Sequence, residues 1–179
     1  MRAISLWQPH GSLLVTGAKP FETRHWKTHV RGTILLHAAQ RCVKWELDEL
    51  LARKDYVMGL APLLGLPLDF TRPPNFTGRA NGCLAKAIPF GCLIGVGDLV
   101  NCIRVEDMTP EQEERARDFG DFSPGRFAWE FRNVFRFKTP VPAKGHQGFF
   151  YSCFDPAMTE LIPVTPGATY NPTYLWRPS

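Results

Sequence analysis

The longest strand-like segment of the sequence, GCLIGVGDLVNCIRV from Gly91 to Val105, places the strongest constraint on the fold. Its apolar and β-branched residues predict one long, largely buried strand. Gly95 and Gly97 interrupt that strand, and glycines inside a strand mark bulges or bends of the kind that barrel corners need. Neither a third glycine nor a helix follows at once, which argues against a dinucleotide-binding loop.

Shorter strand and helix patterns lie on both sides of this segment. Extended or alternating stretches predict further strands within residues 2–6, 20–26, 32–40, 126–137 and 140–154. Short helices are predicted within residues 9–17, 44–54 and 109–120, the last with Thr109 as its N-cap. The βαβ alternation of a doubly wound sheet is missing. The predicted fold is therefore α+β, a small mixed β-barrel with short flanking helices.

The chain of 179 residues is most simply one domain. We expect that domain to span residues 1–154, with an irregular insertion over 55–82 where prolines and glycines break the pattern. Residues 155–179 are proline-rich and are expected to pack on the domain as a C-terminal extension. The apolar part of the insertion, residues 57–70, is a candidate docking site for a protein partner.

Composition narrows the class of protein. No apolar run approaches the roughly 20 residues that cross a bilayer, and the first residues lack the features of a signal peptide. We therefore expect a cytoplasmic protein with no membrane partner. The five cysteines form no CxxC pair, and the histidines lack metal spacing with carboxylate support, so neither a metal nor a cofactor is predicted.

Basic residues are concentrated near the start of the chain. Between Met1 and Lys44, seven lysines and arginines accompany a single acid, Glu22, and four of the five histidines lie in the same stretch. Acids dominate from Glu106 to Asp121. This asymmetry is typical of a surface that meets a polyanion such as RNA, although a solvated basic face fits the same pattern.

The ten residues GAKPFETRHW, from Gly17 to Trp26, contain three charged side chains, an imidazole and an indole. Lys19 follows a helix-ending glycine and is expected to project outward. Glu22 and Arg24 share one face of an extended strand, because residues i and i+2 point to the same side. They are predicted either to contact a ligand or to form a structural ion pair.

A flat nucleobase needs an aromatic face and a few converging polar groups. Indoles offer the face, amides suit a Watson–Crick edge, and cations meet phosphate. The predicted ligand-binding residues are Trp7, Gln8, Lys19, Glu22, Arg24, Trp26, Lys144 and Gln147. Trp26 fits a plug at the end of the barrel equally well. His37, on an apolar strand, is expected to be a satisfied core residue, and His10 is expected at the surface.

Four segments carry a resemblance to a known family. ISLWQPHGSLLVTGAKPFETRHW resembles the opening of ASCH domains, a branch of the PUA-like superfamily. RGTILLHAAQ, PFGCLIGVGDLVNCI and FAWEFRNVFRFKTPVPAKGHQGFF resemble its later strands, in the family's order. The resemblance implies a PUA-like β-barrel whose cleft binds RNA, another nucleic acid, or a modified nucleoside or base.

The resemblance also implies an alternative, because some ASCH proteins are hydrolases, either amidohydrolases of a modified nucleoside or ribonucleases. In the amidohydrolase branch a threonine lies three residues after a lysine. Here Lys19 matches the lysine, but Glu22 stands at the threonine position. If this chain is an enzyme, Lys19 and Glu22 are the expected catalytic residues.

Overall fold

The structure is a computed structural model that describes residues 1–41, 44–65, 87–116, 118–165 and 167–170. In these residues it is an α+β fold built on one sheet. The strands are β1 (Arg2–Leu6), β2 (Phe21–Arg24), β3 (Gly32–Ala38), β4 (Cys92–Arg104), β5 (Phe127–Pro142), β6 (Phe149–Tyr151) and β7 (Leu161–Pro163).

The seven strands form a mixed sheet in the order β2-β5-β4-β3-β1-β6, with β7 pairing beside β5. β1 and β3 run parallel, and the other pairs are antiparallel. Among the described residues no ladder joins β2 to β6, so the sheet is open. The mixed α+β class is confirmed, whereas the closed barrel that the glycine pattern predicted is not.

The glycines of β4 do bend the sheet. The pairing of β4 with β5 shifts register at three places, one of them between Leu93 and Gly95. A Cβ atom on Gly95 would lie 2.4 Å from the carbonyl oxygen of Phe135 on β5, so only glycine permits this close approach. The predicted bulge is therefore confirmed, although it curves the sheet without closing it.

Four α-helices flank the sheet in the described part of the chain: α1 (His10–Val15), α2 (Lys44–Leu51), α3 (Lys54–Leu64) and α4 (Pro110–Ala116), and there are two 3-10 helices, Val105–Asp107 and Pro156–Met158. Gly17, with φ +84°, follows α1 in the left-handed conformation. The predicted N-cap of α4 is confirmed by two hydrogen bonds. The backbone N–H of Gln112 donates to Thr109 Oγ1, and the backbone N–H of Thr109 donates to Gln112 Oε1.

The expectation of an irregular segment from residue 55 onward is wrong at its start, where the chain forms helix α3. Pro62 lies inside the last turn of α3, and Gly65 caps the helix in the left-handed conformation. Pro62 lacks the amide that would donate to the Met58 carbonyl, so the last turn loses one backbone hydrogen bond, while burial of Val57 and Leu60 stabilises the helix. The same two residues face a core cluster rather than solvent. Residues 66–82, the rest of the expected insertion, lie outside the described residues. They include residues 66–70, the rest of the expected docking segment.

Beyond β6 the chain returns to the sheet. β7 pairs antiparallel with β5, and Val164 donates its backbone amide to Val134. Phe131, Val134 and Phe135 of β5 are all buried. In the described part of the chain, no helix is both long and apolar enough to cross a membrane.

Candidate functional site

Two clefts share part of their lining, and six of the eight predicted site residues line one or both of them. The wide cleft, about 730 Å³, is lined by Ser5, His37, Arg41, Lys144 and His146, among others. The narrow cleft, about 400 Å³, is lined by His10, Lys19, Glu22, Thr23, Asp121 and Arg126, among others. Trp7, Arg24 and Gln147 line both clefts and form the part of the lining that the clefts share.

The narrow cleft contains a buried charge network. The carboxylate of Glu22 accepts from the Lys19 ammonium through Oε2, and its Oε1 lies 3.1 Å from Arg24 Nε. Lys19 is only 3% exposed and Glu22 only 7%. The expected shared face of Glu22 and Arg24 is confirmed. The expectation that Lys19 projects outward is wrong, because the carboxylate of Glu22 holds the ammonium inside.

Two opposing effects act on the ionisation of Glu22. Burial raises the pKa of the carboxyl, but the charges of Lys19 and Arg24 outweigh burial and hold the pKa at about 2. Glu22 is therefore a carboxylate at any physiological pH. A carboxylate with so low a pKa is a weak proton acceptor, since general bases work best with a pKa near the working pH.

His10 lines the narrow cleft instead of lying at the surface as expected. It is the first residue of α1, and its ring meets Tyr56 edge-on at 5.8 Å. Burial and the charge of Lys19 lower the pKa of His10 to about 4, so the imidazole is neutral at pH 7. Its Nδ1 atom is buried and has no hydrogen-bond partner among the described residues.

Arg126 completes the other side of the narrow cleft. Its guanidinium donates to the carbonyl oxygen of Thr23 at 3.4 Å and lies 3.3 Å from the Asp121 carboxylate. The Nε atom is buried and lacks a hydrogen-bond partner among the described residues. Buried polar atoms are nearly always paired, but these two atoms are shielded from solvent, so they lie behind the lining of the narrow cleft and meet a ligand only if that lining shifts.

The wide cleft is open and basic. The Trp7 side chain is 53% exposed, and the guanidinium carbon of Arg41 lies 5.5 Å from its ring centre. Lys144 and Gln147 lie in the exposed loop 143–148. Among the described residues that line this cleft, every charged side chain is a cation and none is acidic.

His37 fixes the loop of the wide cleft to the sheet. Its Nδ1 lies 3.1 Å from Ser5 Oγ and its Nε2 lies 3.0 Å from the carbonyl oxygen of Ala143. Nε2 donates to that carbonyl, which leaves Nδ1 to accept from the hydroxyl. Gly145 crosses so close that a Cβ atom there would lie 2.3 Å from His37 Cε1. The prediction of a satisfied core histidine is confirmed.

Two predicted site residues do not enter either cleft. The Gln8 amide donates to the carbonyl oxygen of Pro89 at 2.7 Å and accepts from the Ser12 amide at 3.0 Å, so it holds the start of α1 in place. Trp26 packs edge-on against Trp129 with ring centres 4.6 Å apart, and against Phe149. Trp26 therefore extends the core, and the described residues form no closed barrel for it to plug.

Most of the chain matches a known protein family and known proteins. The model of the ASCH domain matches residues 4–141. Activating signal cointegrator 1 of Mus musculus is 28% identical over 144 residues, which cover 80% of this chain and 21% of the mouse protein. The Homo sapiens protein of the same name matches to the same extent. The chain thus spans about a fifth of the length of these curated relatives.

Proposed function

Because this chain belongs to the ASCH domain family, we propose that it binds RNA, or a modified nucleoside or base, through the two clefts. One observation carries the proposal. In the wide cleft a half-exposed indole, Trp7, lies beside the cations Arg41 and Lys144, with no acid among the described lining residues. An aromatic face next to unopposed positive charge is the arrangement that single nucleotides stack on and bind to.

The wide cleft suits the phosphate part of such a ligand. Exposed cations gain from meeting phosphate because they release the counterions condensed on the nucleic acid. Arg24, Arg41 and Lys144 all line this cleft, and Gln147 adds an amide that donates and accepts.

The narrow cleft suits a nucleobase. Its volume of about 400 Å³ lies within the usual range of small-ligand pockets, roughly 300–1,000 Å³. A neutral imidazole, a guanidinium and an ionised carboxylate converge there, on His10, Arg126 and Glu22. These groups together offer both donors and acceptors to the polar edge of a base.

The charge states favour binding over hydrolysis by Lys19 and Glu22. Glu22, with a pKa of about 2, is too weakly basic to activate water efficiently near neutral pH. Lys19 donates to that carboxylate, and an ammonium that donates does not accept a proton. A hydrolase built on these two residues therefore receives less support from the site than a binding protein does.

The test is the salt dependence of RNA binding by the full chain. We expect the affinity for a short single-stranded RNA to fall steeply with salt, and the variants Arg41→Gln and Lys144→Gln each to reduce the log–log slope by about 1. Lys138→Gln is the matched control, because Lys138 is exposed and pairs with Glu160 away from both clefts.

The enzyme alternative is tested by incubating the full chain with that RNA, or with each member of a panel of modified nucleosides, and measuring the products by mass spectrometry. Unchanged RNA and unchanged modified nucleosides after incubation support binding alone. A product whose formation Lys19→Met abolishes would replace the proposal with a hydrolase. Failure of RNA and of every nucleoside in the panel to bind would reject the proposed function.

A further inference from the structure

The two clefts meet at an exposed aromatic side chain. Trp7 lines both of them, with Arg24 and Gln147 beside it. Among the described residues no other aromatic ring packs against the Trp7 indole. The guanidinium of Arg41 lies near that indole, 5.5 Å from the ring centre. A ligand that stacks on this indole therefore lies where both clefts are within reach.

The two sides of Trp7 offer different chemistry. On the wide side, Arg41 and Lys144 are exposed, and neither forms an ion pair among the described residues. On the narrow side, Arg24 and Arg126 are paired with carboxylates. The wide side thus presents unopposed charge, whereas the narrow side presents polar groups in nearly balanced charge.

The narrow side also has unmet hydrogen-bonding capacity. His10 Nδ1 and Arg126 Nε are both buried and both unpartnered among the described residues. They belong to different elements, the start of α1 and the residue before β5, yet both line the same small cleft. A planar group with mixed donors and acceptors on its edge suits the polar lining of this cleft, and a phosphate suits the cations of the opposite side.

We infer that the occupant is a single strand of at least two nucleotides that lies across Trp7, with backbone phosphate in the wide cleft and one unpaired base in the narrow cleft. The inference rests on the proposed function and adds the strandedness and the minimum length of the ligand. A duplex does not fit this arrangement, because its bases are stacked and their Watson–Crick edges are occupied.

The experiment is a competition series against a fluorescent eight-nucleotide RNA of mixed sequence bound to the full chain. The competitors are the four nucleosides, the sixteen dinucleotides as a mixture, a tetranucleotide mixture, and the eight-nucleotide RNA annealed to its complement. Dinucleotides are expected to compete at least about tenfold better than nucleosides, because they reach both clefts and gain the phosphate contact. The duplex is expected to compete at least about tenfold worse than the single strand, because it offers no free base.

Variants separate the two subsites. Trp7→Ala is expected to weaken dinucleotide binding by about 5- to 150-fold, the usual range for one stacked base, and Trp7→Phe to restore most of it. Lys144→Gln is expected to weaken only competitors that carry phosphate, whereas Arg126→Gln weakens nucleosides and dinucleotides alike. Tyr151→Ala is the matched control, because Tyr151 is an exposed aromatic residue of β6 that lines neither cleft.

The outcomes distinguish this inference from the function on which it rests. If the eight-nucleotide RNA and all nucleosides fail to bind, the proposed function fails. If the RNA binds but nucleosides compete as well as dinucleotides, or the duplex competes as well as the single strand, the function stands and the two-subsite arrangement is overturned. If Trp7→Ala leaves the whole series unchanged, the arrangement across Trp7 is likewise overturned.

Discussion

Both clefts are lined by lysine and arginine side chains, but the cations of the two clefts have opposite surroundings. In the narrow cleft, Lys19 and Glu22 are buried and bound to each other. In the wide cleft, Arg41 and Lys144 are exposed, and neither has an ion-pair partner among the described residues. The comparison separates charges that maintain the shape of a site from charges that are free to meet a ligand.

The physical difference is desolvation. A buried ion loses its hydration and must be compensated by its partner, so removal of one partner leaves an uncompensated charge that costs about 3–5 kcal/mol. Exposed charges keep their water and are screened by salt, so changing one alters stability by about 0.5 kcal/mol or less. Stability measurements therefore test the buried ion pair of the narrow cleft, and ligand measurements test the exposed cations of the wide one.

The largest effect is expected from Glu22→Gln. The variant keeps the shape of the side chain but leaves Lys19 and Arg24 without a counter-charge in the narrow cleft. We expect a loss of about 3–5 kcal/mol in the free energy of unfolding, measured by urea denaturation at pH 7.

Glu160→Gln is the control for that variant, since Glu160 forms an exposed ion pair with Lys138 at 2.8 Å. Its expected loss is below about 1 kcal/mol, as for other surface pairs. Similar small losses for both variants would show that the narrow cleft is hydrated like the surface, and the comparison between the clefts would be lost.

The second effect is a dependence of stability on pH that originates at His10. The pKa of His10 is lowered from 6.5 to about 4, so between these values the unfolded chain binds a proton that the folded chain does not. The contribution is fully present above pH 6.5 and is lost as the pH falls toward 4. It amounts to about 3–4 kcal/mol, at roughly 1.4 kcal/mol for each unit of pKa shift.

The measurement is urea denaturation of the parent chain and His10→Gln at a series of pH values from 7 to 4. The difference between the two should change steadily across this window, because only the parent chain carries the imidazole. His25→Gln, which alters an exposed histidine of the same cleft, should follow the parent chain. A constant difference between the parent and His10→Gln would show that the imidazole is not buried as described.

The smallest effect on stability is expected in the wide cleft. Combining Arg41→Gln with Lys144→Gln should change the free energy of unfolding by less than about 1 kcal/mol, since neither residue has an ion-pair partner to lose among the described residues. The same double variant should lose RNA affinity steeply at low salt. A large loss of stability would place these side chains in the structural part of the protein.

Local sequence patterns predicted most of the strands, because each is encoded by its own residues. The alternation in β5 and the glycines of β4 both predicted what the structure contains. The sequence pattern does not predict helix α3, because prolines and glycines interrupt that segment. In the folded chain Pro62 falls near the helix end, and burial of Leu60 outweighs the lost hydrogen bond. That balance depends on what packs against the helix, which a local pattern does not contain.

The site was predictable only in part, for the same reason. Glu22 and Arg24 were placed on one face by strand geometry alone. Arg126 and His10 belong to distant segments and reach the narrow cleft only because β5 pairs with β2 and α1 packs against the sheet. Gln8 resembled a ligand-reading amide, but its neighbours Pro89 and Ser12 use both ends of it.

The contact between Gly145 and His37 has a practical consequence for engineering. Position 145 admits no side chain, because even a Cβ atom would overlap the imidazole ring. Its neighbours at positions 144, 146 and 147 are exposed on the same loop. A library that randomises those three positions and keeps Gly145 would vary the chemistry of the cleft on an unchanged backbone. The loop is thus a fixed frame with exchangeable side chains, suited to selecting new ligand preferences.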